Sequence, residues 1–237
     1  MSDTADHPVV PREEWLAARR ELLAREKAHM RAGDRLAEAR RELPWMRVEK
    51  DYVFDAAEGK KTLAELFGEA DQLIVHHLMF GADWEAACPG CSFQAEHIDG
   101  PDRHLAHHNV AIVAVSSAPI GKLLAYRARM GWDFDWVSSG GTTFNRDFGV
   151  TFTPEEVAAG RIDYNYGTIT VDPRYVAQEL PGLSVFFKDA EGRVFLTYGT
   201  YARGLDAVLT TNHYLDMVPE GRRDAAYPDW PKRHDEY

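Results

Sequence analysis

The chain has 237 residues, of which 45% are hydrophobic and 27% charged, with a net charge of -11 and two cysteines. This length and balance suit one large globular domain, or a domain with an appendage, around a sizeable buried core. The acidic charge excludes non-specific binding to nucleic acid or to an anionic membrane surface, because both need a basic face.

The N-terminal MSDTADHPVV has neither the basic nor the apolar region of a secretory signal, and no apolar run reaches the roughly 20 residues of a membrane span. The expected location is the cytoplasm. There, two close cysteines are catalytic or metal-binding rather than a structural staple. Residues 12–43 read as helix. Pro11 suits its start, and Glu13 and Glu14 suit the positive end of its dipole. Its apolar residues form a narrow stripe of adjacent pairs, Trp15/Leu16 and Leu22/Leu23, followed by Met30, Leu36 and Leu43. This does not favour a sustained coiled coil. Gly33-Asp34 is expected to interrupt the helix. The charges of this segment read as a solvated face.

Pro44 ends the helical region, and residues 45–54 alternate like a strand or hairpin arm. Residues 60–68, KKTLAELFG, read as a short helix closed by Gly68. Residues 73–80, LIVHHLMF, read as a strand that runs into WEAACPGCSFQAEH, with a helix from Gly90 to about Ile98. Val110 to Ser116 is a continuous apolar run, as a strand covered on both faces requires. A helix over Pro119–Met130 and a short strand over Phe134–Val137 follow. Residues 139–180 look irregular. LSVFF, the turn DAEG and RVFLTY form a hairpin by alternation and turn chemistry, and Leu205–Leu215 is the closing helix. The order is α/β, with helices covering a central mixed sheet.

Cys88 and Cys91 flank Pro89-Gly90 where strand gives way to helix. A thiolate attacks disulfides and peroxides, and the first turn of a helix lowers a cysteine pKa from its usual value of roughly 8.5. Cys88 is therefore the expected attacker. Cys91, one turn further in and more shielded, is the expected resolver. Asp83 and Glu85 are candidate proton acceptors, with a polar loop as the plainer alternative. Trp84 suits a lid or a packing residue. His76 and His77 point to opposite faces of their strand, so one of them, His77, is a candidate for the site; a satisfied core histidine is the plainer alternative.

Residues 180–199, LPGLSVFFKDAEGRVFLTYG, resemble the thioredoxin pattern in which a Pro opens a strand of a hairpin. More widely, RELPWMRVEKDYVF, TLAELF, LIVHHLMFGADWEAACPGCSF, AVSSAPIGKLLAYRARMGW, PGLSVFF, TYARGLD and the tail WPKRHDEY resemble an uncharacterised thioredoxin-like family. Its members are described as predicted dithiol–disulfide oxidoreductases. The resemblance covers the chain from about residue 12. It implies a thioredoxin-like three-layer α/β fold with a central mixed sheet, an N-terminal helical extension over 1–44, a domain over 45–218 with a long middle insertion, and a C-terminal tail over 219–237. It also implies a cis Pro181 beside the cysteines, which would help to bind an extended substrate.

The sequence departs from better-known relatives. Thioredoxins place Trp directly before the first cysteine, where this chain has Ala87. Peroxiredoxins place Thr where this chain has Glu85. The leading expectation is a dithiol–disulfide oxidoreductase acting on a protein or small-molecule thiol or disulfide, or on a peroxide. It needs no organic cofactor, since no Gly-rich dinucleotide fingerprint is present. A peroxiredoxin-like thiol peroxidase is one alternative. A metal- or haem-binding protein or redox sensor is another, using Cys88, Cys91, His97, His104, His107 and His108, although their spacing fits no familiar zinc motif. The N-terminal helix suggests a homodimer, and the dense aromatic and charged end of the tail is expected to dock on the body or on a second subunit.

Overall fold

The computed structural model describes residues 7–159, 162–167, 169–170, 179–222 and 230–237. They form two compact units, divided between Pro44 and Trp45. No helix among the described residues is long and apolar enough to cross a membrane.

The first unit is one helix, α1 (Arg12–Arg41), with Glu13 and Glu14 in its first turn, Arg40 and Arg41 in its last, and no buried residue. It runs through Gly33-Asp34 without a break. A single helical glycine costs only about 1 kcal/mol, and Ala32, Arg35, Leu36 and Ala37 around it are good helix formers.

The second unit is built on an eight-stranded sheet. Its strands are β1 (Met46–Arg47), β2 (Val53–Ala56), β3 (Gly59–Thr62), β4 (Gln72–His77), β5 (Val110–Ser116), β6 (Asp135–Ser138), β9 (Gly182–Lys188) and β10 (Val194–Tyr201), in the order β1-β10-β9-β4-β5-β6-β2-β3. β4, β5 and β6 are parallel neighbours, and β9 and β10 form an antiparallel hairpin beside β4. Between β4 and β5 lie α2 (Pro89–Ala95) and α3 (Asp102–His107), and between β5 and β6 lies α4 (Ile120–Met130). The set β10-β9-β4-β5 with these crossovers is the strand arrangement of the thioredoxin fold. β6, β2 and β3 extend it on one side and β1 on the other.

The period of two along β4 sorts its side chains onto two faces. Leu73, Val75 and His77 face a core containing Phe54, Phe67, Val113, Phe144, Phe148 and Phe186. Leu78 and the chain beyond it join the opposite core, with Phe80, Cys91, Leu123, Tyr126, Trp132 and Trp136. The cysteines therefore belong to the layer of α2 and α4. α4 has Pro119 at its N-cap, and Gly131 adopts the left-handed conformation that ends it.

Three local expectations change. KKTLAELF is not one helix: Gly59–Thr62 pairs with β2 as a hairpin, and only Glu65–Phe67 makes a 3-10 turn. Residues 139–180 carry short elements: α5 (Phe144–Asp147), α6 (Pro154–Ala158) and a two-stranded ribbon of β7 (Asp163–Tyr164) and β8 (Ile169–Thr170). The rest of that stretch, residues 160–161, 168 and 171–178, lies outside the described residues. The closing helix begins as a 3-10 segment, Ala202–Val208, before α7 (Thr210–Leu215).

Candidate active site

The cysteine pair sits just beyond the C-terminal end of β4. Cys88 is the N-cap of α2, half-buried, and Cys91 is 3% exposed. Both are free thiols. The chain leaving β4 grips both residues: the Cys88 N–H donates to the Met79 carbonyl at 3.0 Å, and the Met79 N–H donates to the Cys91 sulfur at 3.2 Å. The Cys88 carbonyl accepts from the Ser92 N–H at 2.8 Å and the Ser92 hydroxyl at 3.0 Å. Ser92 in turn shares a 2.8 Å hydrogen bond with the Tyr126 hydroxyl of α4.

This environment splits the two thiols. Cys88 is pulled down to about 6, chiefly by the Cys91 thiol donating to it. The N–H groups of Cys91 and Gly90 and the positive Arg233 assist, against a desolvation cost. Cys91 is pushed up, by its hydrogen bond to Cys88 and by burial. One cysteine is set to ionise near neutrality while the other keeps its proton.

Of the other sequence-derived candidates, Trp84 is half-buried, and its indole lies against Gly81, where an added Cβ would meet it at 3.0 Å. Its carbonyl and that of Ala82 accept from Lys122 Nζ at 2.5 and 2.8 Å. Asp83 and Glu85 are exposed on the same loop. His77 lies on the sheet face opposite the cysteines. It is buried, bonded to Ser184 Oγ at 2.9 Å and stacked on Phe144, and burial lowers its pKa to about 4. His76 is the histidine that faces α2, where it shares a 2.8 Å bond with Gln94. Among the described residues the one cis peptide is Trp230–Pro231, so the expected cis bond before Pro181 is not found. The Leu180 N–H bonds to the Val150 carbonyl at 2.9 Å, and the Pro181 carbonyl accepts from the Tyr164 hydroxyl. The chain is thus held on both sides of a proline whose preceding residue already prefers an extended, trans form. No three His, Cys, Asp or Glu side chains converge as metal ligands among the described residues. His97 is engaged by Phe93 and Thr211 instead.

Sequence reasoning missed three groups. Glu179 is 6% exposed. One carboxylate oxygen accepts from Ser117 Oγ, the other has no hydrogen-bond partner among the described residues, and burial raises its pKa. Its charge is felt at Cys91. It lines a cleft of about 530 Å³ together with Asp83, Trp84, Ser117 and Gly140. Tyr126 and Arg233 are the other two. Nothing in the local sequence marks Glu179 as buried, and the dense aromatic and charged tail WPKRHDEY pointed to docking on the body without singling out Arg233.

A family model described as a bacterial protein of unknown function, DUF899, matches residues 4–237. No curated protein matches the sequence. Among solved structures, a mutant of PrxQ from Xylella fastidiosa is 13% identical with a TM-score of 0.44, over 69% of this chain and 88% of that one. Peroxidoxin BcpB from Mycobacterium tuberculosis is 18% identical with a TM-score of 0.41, over 70% and 96%. The bacterioferritin comigratory protein of Xanthomonas campestris is 17% identical with a TM-score of 0.41, over 67% and 88%. These are distant likenesses.

Proposed function

The chain belongs to the DUF899 family of bacterial proteins of unknown function, and from its cysteine pair we propose that it is a dithiol–disulfide oxidoreductase. The observation that carries this reading is the opposed shift of two adjacent thiols, Cys88 down to about 6 and Cys91 up. At neutral pH such a Cys88 is mostly thiolate, while Cys91 stays protonated until it is needed.

In the first step the Cys88 thiolate attacks one sulfur of a substrate disulfide. A Cys88–substrate disulfide forms, and the other substrate sulfur leaves as a thiolate. Cys91 then loses its proton and attacks the Cys88 sulfur, releasing the second substrate thiolate and leaving a Cys88–Cys91 disulfide. The substrate gains two electrons and the protein loses two. An external thiol returns the protein to the dithiol. With a hydroperoxide, Cys88 takes one oxygen as a sulfenic acid and releases an alcohol; Cys91 then displaces water to form the same disulfide. Glu179, buried within electrostatic reach of Cys91, is the proton acceptor that this reading assigns to the second step. Asp83 and Trp84, on the cleft wall, and Glu85 on the same loop would meet the substrate; His77, on the opposite sheet face, and Pro181, whose carbonyl is bonded to Tyr164, take no step in this reading. The exposed loop and the acidic chain suit a protein or small-molecule thiol partner in the cytoplasm, and a homodimer through α1 belongs to the same reading.

The test is a Cys91→Ser variant, which cannot resolve its adduct. Incubated with a dithiol-reactive disulfide and separately with a hydroperoxide, it should retain substrate on Cys88 in the first case and sulfenic acid in the second. Intact mass separates the two substrate classes. A wild-type protein whose mass does not change by two daltons between oxidant and reductant would overturn the reading.

A further inference from the structure

The last residues of the chain lie against the cysteine layer. The Trp230 ring is 5.2 Å from that of Phe93 on α2. His234 Nδ1 is 2.6 Å from Glu96 Oε1, and Asp235 accepts from Arg129 of α4 at 2.7 and 3.1 Å. These contacts spread over α2 and α4 and hold Arg233 between them. Its side chain is only 17% exposed, and its Nε and Nη2 both donate to the Ala87 carbonyl, at 3.2 and 2.7 Å. Ala87 is joined directly to Cys88, and its carbonyl belongs to the peptide whose N–H donates to Met79. The guanidinium thus sits one peptide from the attacking sulfur.

We propose that Arg233, carried by the C-terminal tail, is a positioning residue of the Cys88 site: it clamps the Ala87 carbonyl and adds a positive charge beside the Cys88 sulfur. Three features support this assignment. A guanidinium keeps its charge at every relevant pH, and its planar fork grips one carbonyl with two donors. The partial desolvation of Arg233 leaves its field less screened than that of a surface cation. Finally, Arg233 is the cation whose field contributes to lowering Cys88. The neighbouring groups are Cys91 on the same helix, Tyr126 of α4, which Arg233 also reaches, and Glu236, which accepts from Arg233 Nη1 at 2.7 Å and offsets part of its charge. The tail would therefore be part of the active site rather than an appendage. This rests on Cys88 being the reactive thiolate.

The experiment follows the rate of Cys88 alkylation and the thiolate absorbance against pH in the full chain. Wild type should titrate near pH 6. Arg233→Met should shift the midpoint up by about half a unit, less than loss of the Cys91 thiol does, so that alkylation at pH 6 falls about twofold, and Arg233→Lys should restore most of the loss. Glu236→Gln removes the offsetting anion and should move the midpoint down. It reads the same field with the opposite sign if Arg233→Met does not fold. A folded Arg233→Met that titrates with wild type, or a Glu236→Gln without a shift, overturns the proposal. A wild-type Cys88 that titrates near its free value would instead remove the oxidoreductase reading on which the proposal stands.

Discussion

Met79 holds Cys88 and Cys91 with the two ends of one residue's backbone, its carbonyl accepting from the Cys88 N–H at 3.0 Å and its N–H donating to the Cys91 sulfur at 3.2 Å. The last turn of chain beyond β4 thereby fixes the separation of the two thiols. It leaves the Cys91 thiol hydrogen free to point at Cys88, and this contact is the largest cause of the low Cys88 value.

Removing that donor should raise the Cys88 pKa. In Cys91→Ala, the midpoint of the alkylation profile should move up by about one unit or more, whereas Cys91→Ser keeps a hydroxyl donor and should move it less. Alkylation is the right readout. Stability linked to Cys88 is present above its unfolded value and lost as pH falls through about 6. The upward shift of Cys91 acts in the opposite sense at higher pH, so a stability curve would blur the two.

The central strands and the cysteine turn were legible because their signals are local, whereas β3, read as part of a helix, was not. VAIVAVS is an apolar, β-branched run of the kind a doubly covered strand needs, and it is β5 residue for residue. CPGC follows a strand and opens a helix, as it does here. The rest of the site comes from afar in the chain. Arg233 reaches Ala87 across 146 residues, and Ser117 meets Glu179 across 62. No periodicity or motif encodes such pairs. The alternation of β4 did say that His76 and His77 part company, but not which one faces the cysteines. That depends on whether α2 or α5 covers each face, a tertiary fact.

His77 should make the fold acid-sensitive. Its pKa is lowered by burial from the free value of 6.5 to about 4, so between those values the unfolded chain binds a proton that the folded chain refuses. Stability therefore falls as pH drops through that window, by about 3 kcal/mol at its lower end for this one group. Buried His76, lowered to about 3, adds in the same direction. Urea denaturation between pH 7 and 4 should show the slope, and His77→Gln should flatten it. Identical slopes in the two proteins would count against a neutral buried His77.

Phe144 anchors the aromatic core behind the sheet. It is fully buried, and its ring lies 4.7–5.6 Å from those of Phe148, Phe54, Tyr52 and His77. Truncation to Ala opens a cavity among rigid rings and should cost about 3–5 kcal/mol by chemical denaturation. The Cys88 pKa should stay in place, because this core lies across the sheet from the cysteines.

Glu179→Gln separates the two steps of the proposed chemistry. Glutamine keeps the shape of the side chain and an oxygen that accepts from Ser117, so the fold should survive. It cannot take a proton from Cys91. Attack by Cys88 on a disulfide should keep its rate, since Cys88 ionises through its own contacts with Cys91, the α2 N–H groups and Arg233. Closure of the Cys88–Cys91 disulfide should slow by about tenfold or more, so that the mixed disulfide accumulates. The pH profile of closure carries the decisive information. In wild type, closure should quicken as the raised carboxyl of Glu179 ionises, whereas in Glu179→Gln only the high pKa of Cys91 should remain to govern it. Stopped-flow quenching followed by mass analysis at several pH values measures both steps. An unchanged closure rate and profile would assign the proton of Cys91 to solvent instead.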